Sequence, residues 1–202
     1  AEKIGAEITF ENMEFDGVVA SIPSGTCDVA ISGLTINAAR SKTVDFSVPY
    51  YEDSSQILIV KKDDTIFTGT TKAELDTQIE NKRVGVCTGF TGQAYAQGDE
   101  EWGFTGIAGA DVKIYDNVGL AVQDLKNGMI DAVIMDDTPA KEAATTAENA
   151  DDVKVIDVAL TTEAYGIAIK KGNTELKEKI DTAIAELKAA GKIDELKTKW
   201  NA

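Results

Sequence analysis

Val19-Ala-Ser-Ile-Pro-Ser-Gly-Thr-Cys-Asp-Val-Ala-Ile31 and Val122-Gln-Asp-Leu-Lys-Asn-Gly-Met-Ile-Asp-Ala-Val-Ile134 are one pattern written twice. At an offset of 103 residues, Val19, Gly25, Asp28 and Ile31 recur as Val122, Gly128, Asp131 and Ile134. In each copy an apolar-periodic helix ends at Ser24-Gly25 or Asn127-Gly128, a pair suited to a left-handed C-cap, and a strand follows within three residues. A helix of this kind buries its apolar face on a sheet, so two copies predict two like-built α/β units.

Working outward, further strands are predicted over 6–10, 55–61, 83–87, 112–115, 153–157 and 165–170, and Asp28-Val-Ala-Ile-Ser32 reads as a buried strand. Thr71-x-x-Glu74 is a capping box that opens a helix through about residue 80. Leu176, Ile180, Ala183, Ile184 and Leu187 keep one helical face apolar, and a last short helix carries Ile193, Leu196 and Trp200 beyond Gly191. Alternating strands and helices predict a mostly parallel sheet in each unit. Three prolines and no low-complexity stretch leave no flexible linker, so ordered strands join the units, with crossings expected near 52–57 and 157–165. Residues 1–54 plus 165–202 then form one lobe and 55–164 an inserted second lobe. In open α/β sheets ligands sit beyond the carboxyl ends of strands, and two lobes facing each other that way make a cleft.

Composition removes several classes of function. Twenty Lys and Arg against 35 Asp and Glu give a net charge of −15, which repels nucleic acid and anionic membrane. No apolar run approaches the roughly 18 residues of a membrane span, and no basic-then-apolar leader opens the chain, so direct membrane insertion is not expected. The chain has no histidine, the commonest general base and metal ligand, which disfavours triads and most metal sites and lowers the weight of any enzymatic reading. Cys27 and Cys87 lie at opposite ends of strands in separate units, without C-x-x-C spacing, and are expected to be free thiols.

Three constellations carry chemistry. Ser32-Gly-Leu-Thr-Ile follows a strand and precedes Arg40, one of only two arginines in the chain. A guanidinium grips a carboxylate with two parallel bonds, Gly33 admits close backbone approach, and Thr35 adds a hydroxyl; together they read as an anion site for a small carboxylate. Thr88-Gly-Phe-Thr-Gly92 joins a strand to a helix starting near Gly92, either an ordinary turn with Thr91 as N-cap or a helix N-terminus whose N–H groups meet an anion. The Gly-Lys-[Ser/Thr] ending of a phosphate loop is missing. Asp131-Ala-Val-Ile-Met-Asp-Asp-Thr-Pro139 ends its strand on two carboxylates. Asp137 or Thr138 can cap the next helix, which leaves Asp136 either as a second cap or facing an ammonium; no third ligand supports a metal there. Phe15 reads as core or as a cleft wall, and Tyr50-Tyr51 as packing at the crossing.

These segments together resemble the amino-acid-binding solute receptors of ABC importers, extracellular solute-binding proteins of family 3 with the type II periplasmic-binding-protein fold. The matching motifs are Phe15-Asp-Gly, Ser24-Gly-x-x-Asp28, Ser32-Gly-Leu-Thr-Ile followed by Arg40, Val44-Asp-Phe-Ser-x-Pro-Tyr-Tyr51, Thr88-Gly-x-Thr-Gly92 and Asp131-Ala-Val-x-x-Asp136. The resemblance runs along the whole chain and implies a two-lobed α/β fold with two hinge crossovers, no cofactor and no catalysis. It implies that Arg40 and Thr91 hold a ligand α-carboxylate, helped by backbone groups near Ser32, Gly33 and Thr35. Asp136 would take the α-ammonium, and Phe15 would stack on the side chain. Family members begin with a strand, an aromatic-rich loop and a helix that precede the first residue here, so the N-terminal strand and helix of lobe 1 are expected to be absent, with Ala1–Gly5 the tail of that helix. Phe15, Cys87 and Met135, near the expected side-chain position, carry no charge, which points to a neutral or polar amino acid. The implied partners are a free amino acid and the membrane subunits of an ABC permease. The implied location is extracytoplasmic, in the periplasm or as a cell-surface lipoprotein whose anchor is outside this sequence. An extracytoplasmic sensor domain, or a dehydratase on the same fold with Asp136 as its acid or base, are the alternatives; the end at Trp200-Asn-Ala202 without a membrane helix favours the importer.

Overall fold

A computed structural model of the chain describes residues 1–200. In chain order its elements are α1 (Phe15–Ser24), β1 (Val29–Ala30), β2 (Val44–Phe46), β3 (Tyr51–Ser54), β4 (Gln56–Lys61), α2 (Lys72–Ile79), β5 (Arg83–Cys87), α3 (Thr91–Gln97), β6 (Asp111–Tyr115), α4 (Val118–Lys126), β7 (Ala132–Asp136), α5 (Asp137–Thr145), β8 (Val153–Ile156), β9 (Glu163–Tyr165), β10 (Ala168–Lys170), α6 (Thr174–Ala189) and α7 (Lys192–Trp200). Short 3₁₀ turns cover Glu2–Ile4 and Arg40–Lys42. The chain divides into two compact units, unit 1 from Ala1–Asp53 and Glu163–Ala202, and unit 2 from Ser54–Thr162.

Unit 2 is a five-stranded sheet in the order β6-β5-β7-β4-β8. The alternation of side chains along each strand sends them to two cores. Ile57, Ile59, Cys87, Val133 and Met135 face α4 and α5 through Val122, Leu125 and Ala140. Leu58, Val60, Val84, Val86, Ala132 and Ile134 face α2 and α3 through Leu75, Ile79 and Tyr95. Burial on both faces explains why Ile57–Val60 reads as an unbroken apolar run. The Thr71 capping box is present in full: its hydroxyl accepts from the Glu74 N–H while the Glu74 carboxylate reaches back to the Thr71 N–H.

Unit 1 is a three-stranded sheet, β1-β10-β2, with α1 over Ala30, Val44, Phe46 and Ala168 on one face and α6 over Val29 and Ile169 on the other. β3 and β9 form a separate two-stranded ribbon. The repeat is visible in three dimensions: α1 ends at Gly25 (φ 78°) as α4 ends before Gly128 (φ 73°), and each leads into a strand.

Three expectations need correction. Strand direction is one: β5 runs parallel to β6 and β7, but β4 is antiparallel to both β7 and β8, and β10 is antiparallel to both β1 and β2. The parallel rule holds for consecutive strands joined by a crossover helix. β10 enters the sheet from more than a hundred residues away, and nothing obliges it to run parallel. Residues 6–10 form no strand, because no described strand pairs with them; Ile8 and Phe10 are left exposed. The predicted strand 165–170 divides at Gly166, whose Cα approaches Ile36 so closely that a Cβ would lie 2.9 Å from its side chain.

Candidate functional site

The candidate residues fall into two groups, one in each unit. In unit 1, the turn after β1 brings Thr35 beside Arg40 and Gly33 beside Tyr50. The Gly33 N–H donates to the Tyr50 hydroxyl (3.2 Å), and burial pushes the Tyr50 phenol above its ordinary range, so this oxygen stays protonated. Ser32 itself is exposed. Thr35 bridges to Tyr165 in antiparallel fashion, and the flanking Gly166 N–H donates to the Leu34 carbonyl (3.1 Å). Arg40 is only 8% exposed. Its backbone N–H donates to Asn37 Oδ1 (2.8 Å), its Nη1 donates to the Thr35 carbonyl (3.0 Å), and its Cζ lies 5.7 Å from the centre of the Phe15 ring. A planar cation held by a carbonyl and an aromatic face is oriented before any ligand arrives. Phe15, the first residue of α1, packs on the core of unit 1 and also lies against Arg40.

In unit 2, β5 ends at Cys87 and α3 begins at Thr91. Phe90, not Thr91, is the N-cap; Thr91 is the first helical residue and is almost wholly buried. The N-terminus of α3 is pressed onto the sheet. A Cβ on Gly92 would stand 2.9 Å from the Ile134 carbonyl oxygen and 2.9 Å from Gln56 Oε1, and only glycine permits that approach. Asp136 closes β7 directly opposite Gln56 of β4, and its carboxylate accepts a hydrogen bond from Gln56 Nε2. Asp136 occupies the N-cap position of α5 without capping it through its side chain. The two adjacent carboxylates thus have different duties: Asp137 sits in the first helical turn within 3.8 Å of Lys141, while Asp136 points to a buried amide.

Cys87 and Met135 lie elsewhere than the sequence suggested. Both side chains belong to the core that β4, β5 and β7 share with α4 and α5, with 1% and 4% exposure, since both occupy the strand positions that face those helices. Burial, followed by the charge of nearby Asp136, pushes the Cys87 thiol from its ordinary 9 to about 11. Folding therefore favours the neutral thiol, and this contribution is complete below about pH 9 and lost as the pH rises through about 11. At pH 8 Cys87 is expected to resist iodoacetamide while half-buried Cys27 reacts first, as peptide mapping by mass spectrometry would read out; equal labelling of the native protein would contradict this placement. Neither thiol is paired.

Two polar residues escaped the sequence reading. Gln56 is wholly buried at the head of an apolar run, and a polar residue leading such a run is the one signal that could have marked it. Glu163 is buried in β9 and accepts from the Thr35 hydroxyl (2.6 Å), a contact across 128 residues of chain that no local pattern shows.

Among the described residues, no group of three or more Cys, Asp or Glu side chains is placed to hold a metal, and no helix is long and apolar enough to cross a membrane. The family model for bacterial extracellular solute-binding proteins, family 3, matches residues 1–202. The L-cystine-binding protein TcyJ of Escherichia coli K12 is 33% identical over 200 residues, covering 99% of this chain and 70% of that protein. The ABC transporter arginine-binding protein 1 of the same organism is 35% identical over 203 residues, covering 98% of this chain and 76% of the relative. Among solved structures, an ancestral arginine-binding protein bound to arginine superposes with a TM-score of 0.84 at 37% identity, covering 100% of this chain and 83% of that one. These relatives are binding proteins rather than enzymes. With a match along its whole length and two α/β units in the order the fold requires, the chain belongs to the family 3 bacterial extracellular solute-binding proteins, the amino-acid-binding proteins of ABC transporters.

Proposed function

We propose that the chain captures one free amino acid between its two groups of candidate residues, outside the cytoplasm, and delivers it to an ABC permease. The observation that supports this best is Arg40, a buried guanidinium oriented by the Thr35 carbonyl and the Phe15 ring, whose planar fork is the side-chain geometry that matches a carboxylate. Arg40 and Thr91 take the α-carboxylate, with backbone groups of Ser32, Gly33 and Thr35. Asp136 takes the α-ammonium, and Phe15 lies against the side chain. Residues 1–54 plus 165–202 and residues 55–164 act as two lobes that close by rotation about the crossings.

Because Cys87 and Met135 both lie in the core, Phe15 is the uncharged candidate left beside the ligand side chain, which suits a neutral or polar amino acid. Buried Glu163, beside Thr35, supports a second reading, a cationic side chain. A thermal-shift screen of the twenty amino acids separates the two. A ligand at 100 times its Kd adds about 2.7 kcal/mol of apparent stability, a shift of a few degrees for a chain of this size. Glutamine or another uncharged amino acid stabilising the protein more than arginine and lysine supports the neutral reading, and the reverse order supports the cationic one. No shift with any free amino acid would count against the proposed function as a whole.

A further inference from the structure

Gln56 is a buried polar residue that the fold does not require. Along β4, Leu58 and Val60 face α2 and α3, and the alternation of side chains puts Gln56 on that same face. An apolar residue there would simply lengthen the core run. A wholly buried amide costs free energy unless its groups are matched, so what Gln56 touches has to account for its presence.

Its partner is Asp136. The two residues stand directly opposite each other in the antiparallel pairing of β4 and β7, which brings their side chains together on one face, and Gln56 Nε2 donates to Asp136 Oδ1. The same amide also lies against the start of α3, since a Cβ on Gly92 would stand 2.9 Å from Gln56 Oε1. The backbone that carries it is fixed in turn: the Gln56 N–H donates to the Thr161 hydroxyl (2.8 Å), and the Gln56 carbonyl accepts from the Leu160 N–H (2.8 Å). A side chain rooted in this way holds the end of β7 and the first turn of α3 in one arrangement. The chemistry of the donor matters as well. A lysine or arginine could also hold Asp136 but would offset its charge, whereas a neutral amide orients a carboxylate and leaves the charge in place.

We propose that Gln56 is a positioning residue for amino-group recognition: by fixing the Asp136 carboxylate beside the first turn of α3, it makes the protein select a ligand bearing an α-ammonium over the same molecule without one. Gln56 acts through Asp136, so this role rests on the proposed capture of a free amino acid. Precise placement of a charge partner is what turns a buried carboxylate into a selective one, because a displaced charge loses both its distance and its direction to the ammonium.

Calorimetry on the wild type, Gln56→Met, Asp136→Asn and the double variant tests this. Each is titrated with the amino acid that stabilises the wild type most in the thermal-shift screen and with its des-amino analogue, glutaramate for glutamine or δ-guanidinovalerate for arginine. Methionine keeps the length of the side chain and removes the donor. Gln56→Met is expected to weaken the amino acid by about tenfold and the analogue by less than about twofold. In the Asp136→Asn background the same substitution should change neither affinity, since its effect passes through a charge already gone. Should Gln56→Met fail to fold, Gln56→Glu, of nearly the same shape with an acceptor in place of the donor, is expected to lose the amino acid at least as strongly. Equal losses for amino acid and analogue, or losses that add to those of Asp136→Asn, would make Gln56 a packing residue and overturn its role. A wild type that binds no amino acid removes the proposed function and this role together; a selective loss in Asp136→Asn with none in Gln56→Met removes the role alone.

Discussion

Replacing Arg40 with lysine is expected to weaken amino-acid binding by about 10- to 150-fold, the equivalent of roughly 1.5–3 kcal/mol for a hydrogen bond to a charged group. The reason is donor arithmetic. A guanidinium has five N–H donors in a fixed planar fork that matches a carboxylate bidentately, and here Nη1 also donates to the Thr35 carbonyl. An ammonium has three donors on a point charge and cannot serve the carbonyl and both carboxylate oxygens with the same geometry. The positive charge is retained, so unit 1 should stay folded, which a urea titration with an unchanged slope would confirm. Calorimetry with the amino acid that stabilises the wild type measures the loss, and an unaltered Kd would remove Arg40 from the carboxylate site.

Asp136→Asn is the second large effect. Asparagine keeps an oxygen able to accept from Gln56 Nε2, so the cross-strand contact between β4 and β7 survives, while the negative charge proposed to meet the α-ammonium is gone. Losing a desolvated charge partner costs about 2 kcal/mol or more, close to 30-fold in Kd. The des-amino analogue of the same ligand should lose little, and the ratio of the two affinities isolates the ammonium contact. Equal losses for both ligands would make Asp136 a structural residue of the β7 end. The variant carries its own check: the Asp136 charge contributes to raising the Cys87 thiol, so its removal should move that thiol down from about 11 while burial still holds it above 9.

What could be read along the chain was local. β4, β5, β6, β7 and β8 follow from short runs of apolar residues, the start of α2 from a box spanning four residues, and the ends of α1 and α4 from glycines that accept left-handed backbone. The nearness of Thr35 to Arg40 was equally legible, because only five residues of chain separate them. Thr91 and Asp136 were located at a helix start and a strand end, but the first was assigned the wrong helical position, since a cap differs from a first helical residue by one dihedral pair.

The sequence by itself determined that this protein consists of two α/β units and which family it belongs to, because periodicity, capping and repeated motifs act over a few residues. Only the tertiary structure decided that β10 runs antiparallel between β1 and β2, that Cys87 and Met135 are core, and that residues 6–10 remain unpaired. It alone joined Asp136 to Gln56 across 80 residues and Thr35 to Glu163 across 128. Strand direction, strand partnership and the matching of buried polar groups depend on which distant segment arrives alongside. That choice is made by the packing of the whole unit and leaves no local trace in the residues it joins.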